Sequence, residues 1–555
     1  MIEVGAPDVV DSAVAALGSG VDDDALLAVL DVACDRLVTE DLVHRLVPHA
    51  GRLRTVDYAD HPRAALVAGV AICAVDRPAG RATLTAGRMA LAAAGDVVGE
   101  GYGCFLEGLE DLGEGRLASA VVWWDRSRDL LGADHPIEGF NLANRSLGAY
   151  QGGDLRGAVA MAERALATAQ LSGSPRHEGI AGIYVSFFNV WTGDFERAGL
   201  AARHACEAIA LLPEPDRYDL PLAWGQVGAV AAVRNQHDHS MAAFETGLAV
   251  AASFANEWHE AILRAGRADL LETLDPLDAL ADARRARSYF ERIGEQWWAN
   301  WARQAVAATH LRLGDLAAAD EACRVLREQD LNPLERGRAL TIHGGVAARQ
   351  GDAATATARL GEAVGLLDRA GADFWAARAE VLAAGVDRRR ATFHVRSAER
   401  RADGRRDGPA WHRMLAGPGA LRVDVLGGVR VTVDGRTVTF STHAEEEALA
   451  MLVAAWPGGV RAELIADRLW PHADGERAAH RCDNLLSSLR GALLPTTRIR
   501  RAKGLVSIDL QPEESDLLRI RHGLEPVTAA TPPFLGDAAP EWVLDLQIDL
   551  QLRHR

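Results

Sequence analysis

The sequence predicts a mainly α protein: an α-solenoid of stacked helical hairpins followed by a small α+β domain. Three observations carry this expectation. A turn-forming pair, often Gly-Asp, recurs every 37 to 44 residues through the first two thirds of the chain. Within each period the apolar and alanine positions fall at i, i+3, i+4 and i+7, the spacing of a helix with one buried stripe. Beyond residue 420 that spacing gives way to a period of two, which belongs to strands.

The repeats come first. "GRLASAVVWWDRS" starts at Gly115, "GDLRGAVAMAERAL" at Gly153, "GDFERAGLAARHA" at Gly193, "GDLAAADEACRVL" at Gly314 and "GDAATATARLGEAV" at Gly351. Two weaker copies, from His237 and Asp275, keep the phase, and an earlier one is expected near Gly80. Glycine supplies the left-handed break after one helix and aspartate caps the next, so Gly-Asp is a natural joint between helices. Each copy therefore reads as a helical hairpin whose stripe is buried by its neighbours. The period resembles that of tetratricopeptide repeats in a divergent form. The expected repeat domain is 1–385, with clear repeats over about 80–385.

A chain of 555 residues with 48 % hydrophobic composition can bury more than one core. It holds no 18-residue apolar run, and its start has no basic segment ahead of an apolar one, so neither a membrane span nor a signal peptide is read and a cytoplasmic location is expected. Six scattered cysteines without a C-x-x-C pair argue against a disulfide framework or a structural zinc site. Charge divides unevenly: 1–385 carries 35 Arg against 54 acids, net −19, and 386–555 carries 25 Arg plus Lys against 23 acids, net +2.

Solenoids of this kind offer a concave surface to a peptide, protein or small ligand. Trp191, Trp224 and Trp258 are candidate groove aromatics, and "EQWWANWARQ" places Trp297 and Trp301 on one helix face beside Asn300. Two readings stand side by side. Large aromatics fill gaps between alanine-rich helices, or Trp297, Asn300 and Trp301 face an effector groove.

Residues 386–420, with nine Arg against four acids and a poor apolar period, read as a basic linker. Next, "LRVDVLG", "VRVTVDG" and "TVTF" alternate apolar and polar residues, with a hairpin signal at Asp434-Gly435. "STHAEEEALAMLVAAWPGG" opens with a capping box, Thr442 and Glu445, and gives a first helix. "RAELIADRLWP" gives a second, "DGERAAHRCDNLLSSLRGALLP" a third, and "TRIRRAKGLVSIDL" two strands joined around Lys503 and Gly504. The order of elements is sheet, three helices, hairpin.

That order resembles the winged helix of OmpR/PhoB-type regulators. The words "LGGVRVTVDGRTV", "ALAMLVAAWPGGVRAELIADRLWP" and "LLSSLRGAL" resemble the antibiotic-regulatory-protein (SARP) activators in particular. The match covers about 100 residues, from which the winged helix is expected at 421–523 and a C-terminal helix at 524–555. The resemblance implies double-stranded DNA as a partner, and with it RNA polymerase.

Residue chemistry points the same way. On a helical wheel the third helix puts Ala478, Cys482, Leu485, Leu486, Leu489 and Leu493 on one face. Arg477, His480, Arg481, Asn484, Ser487 and Ser488 occupy another. Arginine can pair with guanine and asparagine with adenine in a major groove, which accepts one helix. In the hairpin Arg498 and Arg500 are expected to point outward, with Arg501 and Lys503 near the tip. Between 477 and 503 seven Arg plus Lys stand against one acid, Asp483, a local balance of +6, and local charge sets a docking face. Arg490 falls between the faces, where it braces a neighbour or meets phosphate.

No catalytic set stands out. A phosphate loop needs a lysine before Ser or Thr, and Lys503, the only lysine, precedes Gly504. "HEGIA" and "HEAIL" lack the second histidine of a zincin. Asp22, Asp23 and Asp24 read as helix-start charges. The expectation is a transcription regulator without enzyme activity, cofactor or metal. Its repeats would sense a protein or ligand and could also pair two copies of the chain, while its winged helix binds duplex DNA. The other reading is a protein-protein adaptor in which the winged helix contacts protein.

Overall fold

A computed structural model of the chain describes residues 8–19, 21–114, 116–234, 236–387, 389–402, 421–433, 436–493, 498–502, 504–510, 514–522, 526 and 531–535. The chain divides into two compact units, one centred on Met1–Gly351 with Gly365–Trp375, the other on Asp352–Val364, Ala376–Gly404 and Gly408–Arg555. Neither unit holds, among the described residues, a helix long and apolar enough to cross a membrane.

The first unit is a run of helical hairpins, and the recurring Gly-Asp pairs sit where the second helix of a hairpin begins. Those second helices start at Leu117, Leu155, Phe195, His237, Pro276 and Leu316. Gly153, Gly193 and Gly314 take φ values of 83°, 84° and 79°, a conformation that costs a side-chain-bearing residue about 1–2 kcal/mol. Asp154, Asp194 and Asp315 then accept the backbone N–H three residues on at 2.9, 3.1 and 3.1 Å. Donors that a helix start would otherwise leave unpaired are thereby satisfied.

The copy expected near Gly80 is placed differently. Its helix, Arg77–Ala94, begins at a cap from Asp76, and Gly80 lies inside it. A Cβ at Gly80 would come within 2.4 Å of the Cys73 backbone, so this glycine serves close helix packing and makes no turn. Four helical segments that the repeat pattern did not reveal precede it: Val9–Ser19, Asp23–Thr39, Val43–His49 and Ala50–Leu53. Asp22 caps the second of them through Ala25 N at 2.9 Å.

In the second unit, part of the expected basic linker is helical. Ala391–Ala402 forms a helix that buries Ala391 and Ala398 and is fastened by His394 to Glu380 at 2.8 Å; the rest of 386–420 beyond Ala402 lies outside the described residues. Strands β1 (Leu421–Asp424), β2 (Arg430–Val433) and β3 (Arg436–Val438) form an antiparallel sheet in the order β1-β2-β3. Helices His443–Ala454, Ala462–Leu469 and Gly475–Ala492 follow. Strand β4 (Val460–Arg461) sits between the first two helices and pairs with β6 (Leu505–Ile508), which pairs with β5 (Ile499–Ala502).

Val423, Val431, Leu449, Leu452, Ile465, Leu486, Leu489 and Val506 share one core, so both small sheets and all three helices bury the same apolar set. Asp516, accepting from Val425 N at 2.8 Å and Leu426 N at 3.0 Å, ties the end of this domain to β1. Of the C-terminal helix expected at 524–555, residues 526 and 531–535 are described and are not helical, Phe534 instead forming an antiparallel bridge with Leu426; the rest of that range lies outside the described residues.

Candidate nucleic-acid interface and repeat-unit interior

The helix Gly475–Ala492 is started by Asp474, which accepts Arg477 N at 2.8 Å. Its apolar face is buried as the wheel predicts, through Ala478, Cys482, Leu485, Leu486 and Leu489, and Leu493 follows at 1 % exposure. Arg477, His480, Arg481, Asn484, Ser487 and Ser488 are all exposed on the remaining face. One helix thus presents six hydrogen-bonding side chains in a row over two turns and more.

Ser488 also has an inward role. Glu445 is buried, which opposes its charge, yet hydrogen bonds from Ser488, Ser441 and Thr442 hold its carboxyl below the usual range. The Ser441 backbone and hydroxyl donate at 2.7 and 2.8 Å, the Thr442 backbone at 3.0 Å. Ser488 therefore joins the capping box of the first helix to the third helix and fixes how the exposed face is presented.

The hairpin differs from its expected form. Ile499 is buried and Arg500 and Arg501 alternate about the strand, but none of the three described arginines is unengaged. Arg498 is only 12 % exposed and donates to Glu514 at 2.7 Å and to the Asp509 carbonyl at 3.3 Å. Arg500 pairs with Asp509 at 3.1 Å, and Arg501 with Asp483 of the third helix. The strip counted as +6 gains Asp509 and Glu514 as neighbours of its described arginines, so three acids stand where one was counted. The sequence count missed this because those two acids lie beyond 503. Arg490 braces, donating to Ile499 O at 3.0 Å. Lys503 lies outside the described residues.

Inside the repeat unit, the three proposed groove residues separate. Asn300 is buried and accepts from Arg303 at 2.7 Å, whereas Trp297 and Trp301 are partly buried. Trp191 is buried, and Trp258 donates to Glu295 at 2.6 Å. The tryptophans fill space between helices that are far apart in sequence. Tyr150 meets Trp297 at 6.2 Å, Phe187 meets Trp301 at 6.1 Å and Trp191 meets Trp375 at 5.2 Å between ring centroids. Arg338 stacks over Trp301 at 4.7 Å and Trp375 at 5.7 Å.

Several polar groups in this interior escaped the sequence reading. Glu335 is buried and its carboxyl is pushed up to about 7 by desolvation, against a hydrogen bond from the Asn332 backbone at 3.3 Å. Arg338 is 6 % exposed and reaches Asp269 at 2.6 Å. Gln304 is fully buried. "PLERGRAL" sets Glu335 and Arg338 one turn apart on a face otherwise apolar, the one signal that could have exposed them.

No protein-family model matches the chain, and no curated protein matches it. Among solved structures it is similar to a signal-transduction ATPase with a tetratricopeptide-repeat sensor from Pyrococcus horikoshii, at 13 % identity and TM-score 0.35; the match covers 59 % of this chain and 52 % of that one. It is also similar to a Rap protein complexed with competence and sporulation factor, at 13 % identity, TM-score 0.43, 68 % of this chain and 100 % of that one. A ligand-bound phAimR matches at 11 % identity, TM-score 0.37, 69 % of this chain and 98 % of that one.

Proposed function

We propose that the chain is a transcription regulator without enzyme activity. Its helical-repeat unit is the interaction module and takes a protein or small-molecule effector. Its C-terminal unit acts as a winged helix of the OmpR/PhoB type, with Gly475–Ala492 entering the major groove of duplex DNA and the β5–β6 hairpin as the wing. RNA polymerase and a second copy of the chain are the partners such a regulator would add. The observation that supports this reading is the helix face itself: Arg477, His480, Arg481, Asn484, Ser487 and Ser488 exposed together, with the opposite face buried. Those are side chains that reach base edges and phosphates.

The test is capture of genomic duplex by the full chain, compared with Arg477→Ala/Arg481→Ala. A recurrent motif lost in the variant is the expected result. A second reading, a protein-protein adaptor whose C-terminal unit contacts protein, draws support from the hairpin, where Arg498, Arg500 and Arg501 are committed to Glu514, Asp509 and Asp483. An adaptor would enrich no duplex and would keep its protein partner in the double variant.

A further inference from the structure

Arginines in this part of the repeat unit are mostly matched by acids. Arg264 and Arg267 share Asp282 at 2.9 and 2.7 Å, Arg303 takes Glu291 at 2.9 Å and Arg338 takes Asp269 at 2.6 Å. The helix Pro276–Ile293 carries an exception. Arg284 and Arg285 are exposed on it, and neither has an ion pair among the described residues. Arg284 instead lies 3.4 Å from His310 Nε2, an imidazole that burial, with help from Arg284, holds below its ordinary pKa. Arg292, also exposed, lies over the Tyr289 ring at 5.0 Å. Its acid, Glu257 at 3.3 Å, is an exposed partner that water screens.

The three arginines form one strip. Arg284, Ser288 and Arg292 stand at successive turns, with Arg285 and Tyr289 on the adjoining row. These five side chains line an open cleft of about 480 Å³. The helix buries its other side, Leu280 and Ala283 joining Ala305 and Val306, and Ala286 and Phe290 joining Ala299 and Ala302. The strip is therefore left to solvent. Like charges one turn apart on a helix repel, and the acids of this helix do not relieve them. Asp278 belongs to the first turn, Asp282 is buried with Arg264 and Arg267, and Glu291 serves Arg287 and Arg303.

We propose that this strip docks an acidic segment of a partner protein, extended along the helix with carboxylates at alternate positions. The assignment rests on the reading of the repeat unit as the interaction module and names the class of partner that this face would engage.

Spacing and charge both favour such a segment. Carboxylates on every second residue of an extended chain stand about 6.6 Å apart, close to the roughly 6 Å between side chains one turn apart on a helix. The rise from Arg284 to Arg292 is about 12 Å, and four extended residues span about 13 Å. One segment can thus set an acid on Arg284 or Arg285 and another on Arg292, each guanidinium offering a two-pronged fork to a carboxylate. The Ser288 hydroxyl lies between them as a hydrogen-bond donor, and Tyr289 pre-positions the Arg292 guanidinium. Duplex DNA suits the strip less well. Residues 1–385 carry a net charge of −19, and a rod with a phosphate charge about every 1.7 Å would run past the strip onto those acidic surroundings. A short segment meets the local charge alone, and a single small anion would leave part of the strip unmatched.

The experiment titrates the full-length protein with fluorescein-labelled hexaglutamate, read by anisotropy, with hexaglutamine as the uncharged control, inorganic phosphate as competitor and a labelled duplex measured in parallel. Hexaglutamate is expected to bind, more weakly as salt rises, and hexaglutamine is not. Arg284→Gln/Arg285→Gln should weaken hexaglutamate by about tenfold with Tm and duplex binding unchanged, because both side chains are exposed and unpaired. Arg477→Ala/Arg481→Ala should leave hexaglutamate binding as it is, which separates the strip from the basic face of the C-terminal unit.

Five results each overturn the proposal: no hexaglutamate binding at low salt, equal binding of hexaglutamine, unchanged hexaglutamate binding in Arg284→Gln/Arg285→Gln, displacement by an equal concentration of phosphate, which would mark a small-anion site, or loss of duplex binding in that variant, which would mark a nucleic-acid contact. The parallel duplex measurement also separates the two readings. A wild-type protein that takes hexaglutamate at the strip and no duplex rejects the regulator reading and leaves the docking strip standing. The converse removes only the strip.

Discussion

Neutralising Arg477 and Arg481 together gives a quantitative handle on the proposed DNA face. Seven Arg plus Lys lie between 477 and 503, and if each met a phosphate the slope of log K against log salt would be about −6. The structure reduces that number. Arg498, Arg500 and Arg501 are held by acids, and Arg490 by the Ile499 carbonyl. Arg481 has no ion pair among the described residues, and Arg477, 81 % exposed, makes only a loose contact to Asp474 at 3.4 Å.

Among the described residues of the strip, two available cations predict a slope of about −2 for one C-terminal unit on B-DNA. Fluorescence anisotropy of a labelled duplex carrying the captured motif, across a salt series, reads this slope directly. Arg477→Ala/Arg481→Ala should bring it close to zero. If one of the two arginines reads guanine, affinity should fall a further 10- to 100-fold, for about 1–3 kcal/mol of lost discrimination. A wild-type slope near −6 would show that the hairpin ion pairs open on binding. A slope of −2 that survives in the double variant would refute the helix-face assignment.

Three further outcomes follow from local chemistry. Glu335 has its pKa raised from 4.5 to about 7 by burial, so the stability it contributes is full below pH 4.5 and lost as pH rises through 7; Glu335→Gln should remove on the order of 2–3 kcal/mol of that pH dependence in thermal unfolding from pH 4 to 8. Glu445 shows the opposite sign: its lowered pKa makes its contribution present above the unfolded value and lost as pH falls, and Ser488→Ala should cost about 1 kcal/mol and move acid unfolding of the C-terminal unit to higher pH without altering the salt slope. Gly351 has φ 84° with no atom within 4 Å of an added Cβ, so Gly351→Ala tests backbone strain alone and should lower stability by about 1–2 kcal/mol in denaturant titration.

The regular part of the fold was legible because it rests on local rules. Gly153-Asp154, Gly193-Asp194 and Gly314-Asp315 each combine a left-handed turn with a helix cap, and a period of such pairs is visible in any listing of residues. The buried stripe from Ala478 to Leu489 was equally readable, since helical geometry alone sets which side chains share a face. What the sequence hid depends on distant partners. Nothing near Arg498 announces that Glu514 lies 2.7 Å away, and nothing near Trp301 says that Arg338 comes from another hairpin to stack over its ring. Gly80 misled for a related reason: a glycine chosen for close packing against Cys73 looks, in one dimension, like a glycine chosen for a turn.

The rings that bridge Tyr150 to Trp297, Phe187 to Trp301 and Trp191 to Trp375 change how the array should come apart. In an ordinary repeat protein each unit couples only to its neighbours, so stability adds up unit by unit and the ends can fray while the middle stays folded. Here early and late hairpins are coupled directly, and Gly153 sits so close to Pro333 that an added Cβ would approach to 2.7 Å. Removing a hairpin from either end therefore withdraws support from the other end as well. The array should melt in one cooperative step, and shortened forms should lose more stability than the deleted hairpins alone account for.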